Sequence, residues 1–416
     1  VMCNFKLTLL MLRKTILTVI WIFVTLNIIL GLLGISSILL TVSVYFSVWL
    51  VVKMLIDRFF IKTDQNKNYQ LLLATIIISL FLTEVALKYV AKANLTYSEK
   101  NGDFFYNSMY KQRILENFGR RYILRQNDIQ ISTHPANSID YLRKPEFAYT
   151  HTFNSLGLRD KEPILDTSIV TIIGLGDSFT EGVGSPQDST WLKLLEGNIK
   201  RLYPNKKMQT LNAGVNGSDP IAEYLLLERQ LIRYNPKIVI VCINNSDISD
   251  VIVRGGNERF TNGTVKYSDG PWWEFFYSYS YIFRSIIHSF FNLNYLLLTD
   301  KQNEIENKIA IEKLKESINT EYKNLAKKYS FKLVVVLHPM QWELEQKKFM
   351  LKDLSSEFKK DTSILTINLY NEYYGFQKNS QYNFNDLYWQ TDLHHNSTGY
   401  MLWADILTHK ISPLLE

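Results

Sequence analysis

The chain alternates short apolar runs with amphipathic segments from residue 168 to its end. Short runs rich in β-branched residues predict buried strands, and apolar spacings of about three and four residues between them predict helices. Strands of continuous apolar character, separated by helices, are typical of a parallel sheet that is covered on both faces. The sequence therefore predicts a three-layer α/β/α domain with a parallel five-stranded sheet over residues 168–416. The predicted strands are 168–175, 208–213, 237–243, 331–337 and 363–368.

Residues 1–88 have a different, strongly apolar pattern. Residues 15–52 contain no charged side chain, and a membrane-spanning helix needs only about 20 residues. Glycines and serines between residues 31 and 37 offer a turn, so the pattern predicts spans near 15–33 and 37–52. The apolar stretch 71–87, whose one charge is Glu84, is a candidate third span.

The charges that flank these stretches predict an orientation. Lys and Arg residues precede the first span and lie between the second and the third, and such residues collect on the cytoplasmic side. We therefore expect a multi-pass protein of the inner (cytoplasmic) membrane. We expect the large domain to be periplasmic or extracellular, which follows if residues 71–87 span; if they lie along the surface, it is cytoplasmic. Residues 89–167 are an extension that leads into this domain.

Composition excludes several classes of protein. Lys and Arg number 46 against 40 Asp and Glu, a mild excess without the basic stripes that nucleic-acid binding needs. The two cysteines, Cys3 and Cys242, exclude a disulfide framework and a Cys-rich zinc site. The predicted partners are a substrate and the membrane, with no nucleic acid.

Candidate chemistry lies where the predicted strands end, because ligands bind at the carboxyl ends of the strands in parallel sheets. The first strand leads into residues 176–182, GDSFTEG. Ser178, directly after a buried strand and flanked by glycines, suits a nucleophile, although a serine that caps the next helix fits the same pattern. Gly214, at the end of the second strand, could offer its amide to an oxyanion or form an ordinary turn. The third strand ends in Asn244-Asn245-Ser246-Asp247, whose side-chain amides could also donate.

A second polar cluster lies near the C-terminus, where Asp392 is followed closely by His394 and His395. A serine needs a base to act as a nucleophile at neutral pH, and histidine is the usual one. A carboxylate then orients the histidine. No further His, Asp or Glu cluster has ligand spacing, so the sequence predicts no metal and no cofactor.

Taken together, these segments resemble the SGNH (GDSL) hydrolase superfamily in its membrane-anchored bacterial form. The Gly-Asp-Ser-x-x-x-Gly block matches residues 176–182, and Gly214 matches the glycine of the second block. The Asp-x-His-x-Asn-x-x-Gly block matches residues 392–399. The resemblance covers about residues 168–412, with the blocks in the expected order. It implies an SGNH-type, flavodoxin-like fold, with Ser178 as nucleophile and Asp392 as the carboxylate of the triad.

Two positions depart from the family pattern. Many members have Asp three residues before His, which selects His395, whereas the downstream His-x-Asn-x-x-Gly spacing selects His394, the base we predict. In the third block, the family's oxyanion asparagine aligns with Ser246. Asn245 or Asn244 could substitute, or the Ser246 hydroxyl could serve. We predict Asn245, together with Gly214, for the oxyanion hole.

The resemblance implies a membrane-anchored serine esterase that acts on O-acyl esters of envelope glycans or lipids. The same triad would serve an O-acyltransferase that modifies cell-surface polysaccharide, with a membrane acyl-donor protein as its partner. A non-catalytic binding module that kept the fold is the third interpretation.

Overall fold

The computed structural model forms two compact units, and each is described by itself. One consists of Val1–Gly119 with Asp269–Asn303, and the other of Arg120–Ser268 with Glu304–Glu416. The predicted boundaries after residues 88 and 167 differ from this division. From His134 onward, side chains of the extension are hydrogen-bonded to elements around the sheet, as described below. The structure describes residues 66–87, 122–126, 129–261, 264–265, 273, 277, 280–294, 296–379 and 383–416.

The secondary structure follows the predicted alternation, with two short hairpins before the sheet. The strands are β1 Tyr122–Gln126, β2 Ile129–Thr133, β3 Ile139–Arg143, β4 Ala148–Thr152, β5 Val170–Gly176, β6 Met208–Gly214, β7 Pro236–Ile243, β8 Phe260–Thr261, β9 Thr264–Val265, β10 Lys332–Leu337 and β11 Ile364–Asn368. The α-helices are α1 Asn66–Val85, α2 Ser178–Glu181, α3 Trp191–Leu202, α4 Pro220–Leu226, α5 Asn245–Arg254, α6 Tyr281–Ser285, α7 Asp300–Glu316, α8 Lys323–Tyr329, α9 Gln341–Glu345, α10 Lys352–Phe358, α11 Leu369–Asn379 and α12 Ser397–Ile411.

The predicted five-stranded parallel sheet is confirmed. Its strands lie in the order β6-β5-β7-β10-β11, and every neighbouring pair is parallel. Numbered by their sequence, this is the 2-1-3-4-5 order of flavodoxin-like sheets. The order reverses between β5 and β7, and a crevice opens at such a switch point beyond the carboxyl ends of the strands. The residues that follow β5 and β7 therefore meet there.

Both faces of the sheet are covered, as the continuous apolar strands predict. Alternate residues of β7 point to opposite faces: Val239 and Val241 belong to one buried cluster, and Ile238 and Ile240 belong to the other. Helices α4, α7, α8 and α10 pack on the first face, and α3, α9, α11 and α12 pack on the second. Because the sheet is held from both sides, the strand ends form a rigid frame for the site.

In the unit that contains α1, the apolar stretch 71–87 forms most of that helix. No helix within the described ranges is both long and apolar enough to cross a membrane. The predicted spans at 15–33 and 37–52 lie outside the described residues. Glu84, the one charge of the stretch, is buried and accepts hydrogen bonds from Ile282 N at 3.1 Å and Ser280 Oγ at 3.2 Å. Its carboxylate thus caps the first turn of α6.

The β3–β4 hairpin precedes the sheet and turns at residues 144–147. It is antiparallel, with Tyr141 opposite Thr150 and Arg143 opposite Ala148. Side chains on successive strand positions face opposite ways. His151 is buried on the inner side, whereas Tyr141 on the outer side is 62% exposed. The inner side and the turn are the parts of the hairpin that reach the candidate site.

Candidate active site

The position of Ser178, the predicted nucleophile, is fixed by the end of β5. Asp177 follows this strand as the N-cap of α2, and its Oδ1 accepts a hydrogen bond from Phe179 N at 2.9 Å. Ser178 therefore begins a helical turn at the switch point of the sheet. Burial raises the pKa of Asp177 above its usual value, against the hydrogen bond from Asn244 and the other groups that lower it. Ser178 itself is 8% exposed.

The three predicted triad residues lie together. His394 Nε2 is 2.7 Å from Ser178 Oγ, and His394 Nδ1 is 2.6 Å from Asp392 Oδ1. With Nδ1–H donated to the carboxylate, Nε2 is left to accept the serine proton, which is the arrangement of a nucleophile, a base and an orienting acid. Burial would raise the pKa of Asp392, but the hydrogen bond and charge of His394, with Lys144, hold this pKa below its usual value.

The loop that carries Asp392 and His394 has an unusual backbone. Leu393, between them, has φ +69°, a left-handed conformation that a branched residue rarely adopts. Hydrogen bonds from Trp389 N to His394 O at 2.9 Å and from Leu393 N to Trp389 O at 3.0 Å close the loop. This tight turn lets an Asp only two residues before the histidine reach its ring.

His395, the alternative base, occupies a different environment. It is fully buried, and its Nε2 lies 3.0 Å from the hydroxyl of Tyr373. Burial lowers its pKa well below the usual value, and the nearby His338 and His394 lower it further. The structure thus brings His394, and not His395, to Ser178.

Gly214 does not take the place predicted for it. Its amide donates to Asn212 Oδ1 at 3.0 Å, so that hydrogen is already used. A Cβ at Gly214 would overlap the backbone of Glu181, which shows why a glycine is required: β6 passes directly against α2. Close packing, and not an oxyanion, explains this glycine.

The turn after β6 contains another donor that the sequence analysis missed. The amides of Val215, Asn216 and Ser218 donate to Gly176 O, Glu181 Oε2 and Val215 O. The amide of Gly217 has no acceptor among the described residues, and the same holds for the amide of Ser178. Gly217 has φ +73°, a conformation that glycine adopts without strain.

The three candidates at the end of β7 have different roles. Asn244 is fully buried, and its Nδ2 lies 2.8 Å from Asp177 Oδ2 and 3.1 Å from His338 Nε2. The hydroxyl of Ser246 lies 2.5 Å from Asn244 Oδ1 and 3.3 Å from Asp177 Oδ2. The half-buried side chain of Asn245 has no partner in the part of the chain that the structure describes. Of the three, Asn245 alone keeps a side-chain amide available for a ligand.

Two buried charges next to α2 were also missed. The Arg159 guanidinium donates to the carbonyl oxygens of Glu181 at 3.1 Å, Gly182 at 2.6 Å and Ser185 at 2.7 Å. It therefore binds carbonyl oxygens at the C-terminal end of α2 and in the turn that follows it. Arg159 belongs to residues 89–167, which were predicted only to be an extension, so its contacts with α2 were missed.

Glu181 lies on α2, three positions after the serine, and is buried. Its carboxylate contacts His134 Nε2 at 2.9 Å and His151 Nδ1 at 3.5 Å, and it accepts a hydrogen bond from Asn216 N at 2.6 Å. Burial would raise the pKa of Glu181, but these hydrogen bonds and the charge of His134 bring it well below its usual value. The extension and the turn after β6 are thereby joined to α2.

Within the described ranges, no group of three or more His, Cys, Asp or Glu side chains is arranged to hold a metal ion.

The known proteins that resemble the chain are found among solved structures. No protein-family model matches the chain, and no curated protein does. Solved structures do align. A putative lipolytic protein of the G-D-S-L family from Desulfitobacterium hafniense has 13% identity and a TM-score of 0.31, covering 58% of this chain and 98% of its own. A catalytic mutant of an acetylxylan esterase from Geobacillus stearothermophilus has 12% identity and a TM-score of 0.38, covering 60% and 96%.

A two-domain esterase active on acetylated mannans has 15% identity and a TM-score of 0.35, and the alignment covers 59% of this chain. The chain spans about half of that esterase's length, since 50% of it is covered. In its strand order, in the order of its motifs and in the arrangement of Ser178, His394 and Asp392, the chain resembles the SGNH (GDSL) esterases.

Proposed function

We propose that this protein is a serine ester hydrolase that cleaves O-acyl esters of glycans or lipids through an acyl-enzyme. One observation carries the proposal. The 2.7 Å contact between Ser178 Oγ and His394 Nε2 continues through a 2.6 Å contact from His394 Nδ1 to Asp392 Oδ1. A serine so connected is activated for attack on a carbonyl carbon.

The reaction then follows from the roles of the three side chains. Ser178 Oγ attacks the ester carbonyl while His394 Nε2 takes its proton, and Asp392 stabilises the resulting imidazolium. When the tetrahedral intermediate collapses, His394 returns the proton to the leaving alcohol. His394 next deprotonates a water molecule, which attacks the acyl-enzyme. The acid is released, and Ser178 regains its proton.

Three donors are proposed to stabilise the oxyanion. The amides of Ser178 and Gly217 have no acceptor among the described residues, and the Asn245 side chain is likewise available. Such donors are most effective when they are held in place before the reaction starts. The hydrogen bond from Asn216 N to Glu181 supports this, since it fixes the turn that carries Gly217.

Membrane attachment through residues 15–52 is part of the proposal. The support is the uncharged stretch and its flanking Lys and Arg residues. Carbonate extraction of membranes that contain the full chain tests it. Retention in the pellet, with release after deletion of residues 1–60, is the expected result. Full release of the intact chain would contradict it. Protease accessibility in intact cells and in lysed cells then assigns the side of the catalytic unit.

The activity is tested by labelling the full chain with a fluorophosphonate probe. Wild type should be labelled, Ser178→Ala and His394→Ala should not, and His395→Ala should keep its label wherever it still folds. Acetylated xylan, acetylated mannan and p-nitrophenyl esters of increasing chain length then serve as substrates. Released acid identifies a hydrolase, and transfer of the acyl group to an added sugar identifies an acyltransferase. A folded wild type that takes no label would favour a non-catalytic binding module.

A further inference from the structure

The turn of the β3–β4 hairpin holds the loop that carries Asp392. The Glu146 carboxylate accepts hydrogen bonds from three consecutive backbone amides: Gln390 at 2.8 Å, Thr391 at 2.8 Å and Asp392 at 3.0 Å. Bonds to a charged acceptor are stronger than bonds between neutral groups. Three of them on successive residues fix both the position and the direction of the loop.

Packing and charge reinforce this attachment. The ring of Phe147, the residue after Glu146, lies 5.3 Å from the ring of Trp389, whose Nε1 donates to Gly184 O at 2.8 Å. Lys144 Nζ lies 3.5 Å from Asp392 Oδ2. The two oxygens of Asp392 are therefore shared, one with His394 and the other with Lys144.

We propose that Glu146 is a positioning residue that holds Asp392 in its catalytic geometry, and that Lys144 sets the pH range in which His394 acts as a base. The proposal rests on the proposed function, because it assigns Asp392 and His394 to a triad. It makes the hairpin before the sheet a part of the catalytic unit.

Lys144 and Glu146 are half-buried, whereas the other titratable groups that face the triad are buried. Burial lowers the pKa of His338 to about 3, and burial raises the pKa of Tyr400 well above its usual value. Both side chains are therefore uncharged near neutral pH. The titratable and charged groups around Asp392 and His394 are Lys144, Glu146, Asp177, His338, His395 and Tyr400.

Opposite charges on one turn predict opposite effects. A positive charge beside Asp392 opposes the imidazolium of His394, so Lys144→Met should favour the imidazolium and move the acid limb of activity to higher pH. Glu146→Gln should move it to lower pH. One unit charge near a water-exposed site gives a shift of about 0.3 to 0.5 pH unit. Both shifts should shrink in about 0.5 M salt, which screens exposed charges.

Geometry and charge can be separated at Glu146. Glu146→Asp keeps the charge but shortens the reach, so it should lower kcat/KM roughly 10-fold, mainly through kcat, and leave the acid limb unmoved. Glu146→Gln should lower the rate and also move the limb.

The experiment measures kcat and KM for a p-nitrophenyl ester, and the rate of fluorophosphonate labelling, with the full chain between pH 5 and 9. Lys161→Met and Asp140→Asn, which remove exposed charges elsewhere in the extension, are the matched controls and should show no shift. Thermal unfolding of each variant verifies its fold. Shifts of the same sign for Lys144→Met and Glu146→Gln, or wild-type kinetics in Glu146→Asp, would overturn the proposal.

A second readout does not depend on activity. The midpoint of the His394 ring titration, followed by NMR with Ser178→Ala as the background, should move in the same two directions. If wild type takes no label but the midpoints move as expected, the proposed hydrolase fails and the electrostatic role of the turn stands. If wild type is active and the midpoints stay fixed, the role of Lys144 fails and the proposed function stands.

Discussion

Asn244 Nδ2 donates to Asp177 Oδ2 at 2.8 Å. Asn244, which follows β7, therefore holds Asp177, which precedes Ser178. The same Nδ2 lies 3.1 Å from His338 Nε2, and Asn244 Oδ1 accepts from Ser246 N at 2.7 Å. The side-chain amide of Asn244 is thus fully used within the protein. It joins β5, β7 and the end of β10 beneath Ser178.

Substitutions of Asn244 and Asn245 should therefore have different effects. Asn244→Ala removes the buried contacts of its side-chain amide with Asp177 and His338, and we expect it to cost about 2–4 kcal/mol of folding free energy. Asn245→Ala should change the folding free energy by less than about 0.5 kcal/mol but lower kcat about 100- to 1000-fold, the usual effect of losing one oxyanion donor. Urea unfolding and steady-state kinetics measure the two effects. Wild-type kcat in a folded Asn245→Ala protein would contradict the role of Asn245.

Substitutions of Gly214, the last residue of β6, and of Gly217, in the turn that follows, should also have different effects. A Cβ at Gly214 would overlap the backbone nitrogen of Glu181, so Gly214→Ala should prevent folding or cost more than about 4 kcal/mol. Gly217→Ala should cost only about 1–2 kcal/mol for its left-handed backbone but lower the rate of labelling, because the turn must shift. Circular dichroism and fluorophosphonate labelling distinguish the outcomes. A stable Gly214→Ala protein with impaired labelling would return the oxyanion role to Gly214.

The sheet and the arrangement of Ser178, Asp392 and His394 could be predicted because each depends on local patterns. Apolar runs mark the strands, and the blocks around these three residues have fixed spacings. The meeting of the blocks then follows from parallel strands that end at one edge. Gly214 was assigned an open amide, since the sequence does not show that Asn212 would accept its hydrogen.

The contribution of the extension could not be predicted, for a physical reason. Arg159 and Glu146 bind backbone groups that are distant along the chain. Backbone carbonyls and amides are present at nearly every residue, so the sequence does not mark which of them a side chain will meet. His134 and His151 likewise give no periodic pattern that points to Glu181.

Arg159 provides a test of how strongly the extension holds the site. Its guanidinium is fully buried and donates to three carbonyl oxygens. Arg159→Met keeps much of the volume but removes these three charge-assisted hydrogen bonds from a buried place, so we expect a loss of about 3–5 kcal/mol of folding free energy. Arg159→Lys should also destabilise the protein, since an ammonium cannot match the planar fork. Arg143→Met, at an exposed strand position, is the control. Equal urea midpoints for Arg159→Met and Arg143→Met would refute this role.

The buried histidines predict how stability depends on pH. Burial lowers the pKa of His338 from 6.5 to about 3, and it lowers that of His395 well below 6.5. Below pH 6.5 the unfolded chain binds protons at these rings and the folded protein does not. The stabilisation is therefore complete above pH 6.5 and is lost as the pH falls toward the folded pKa. Each ring contributes a slope of up to about 1.4 kcal/mol per pH unit.

Replacing these rings with a side chain that does not titrate tests the prediction. Between about pH 4.5 and 6.5, His338→Gln should reduce the slope of the unfolding free energy against pH by up to the slope that one proton gives, about 1.4 kcal/mol per pH unit. The variant should also be less stable than wild type at every pH. Urea unfolding at several pH values measures the slope. His409→Gln, at an exposed position of α12, should leave the slope near that of wild type. A slope unchanged by His338→Gln would mean that His338 binds its proton equally well in the folded and the unfolded protein. The hydrogen-bonded side chains of His338, Asn244 and Asp177 would then have to accommodate a buried positive charge near Ser178.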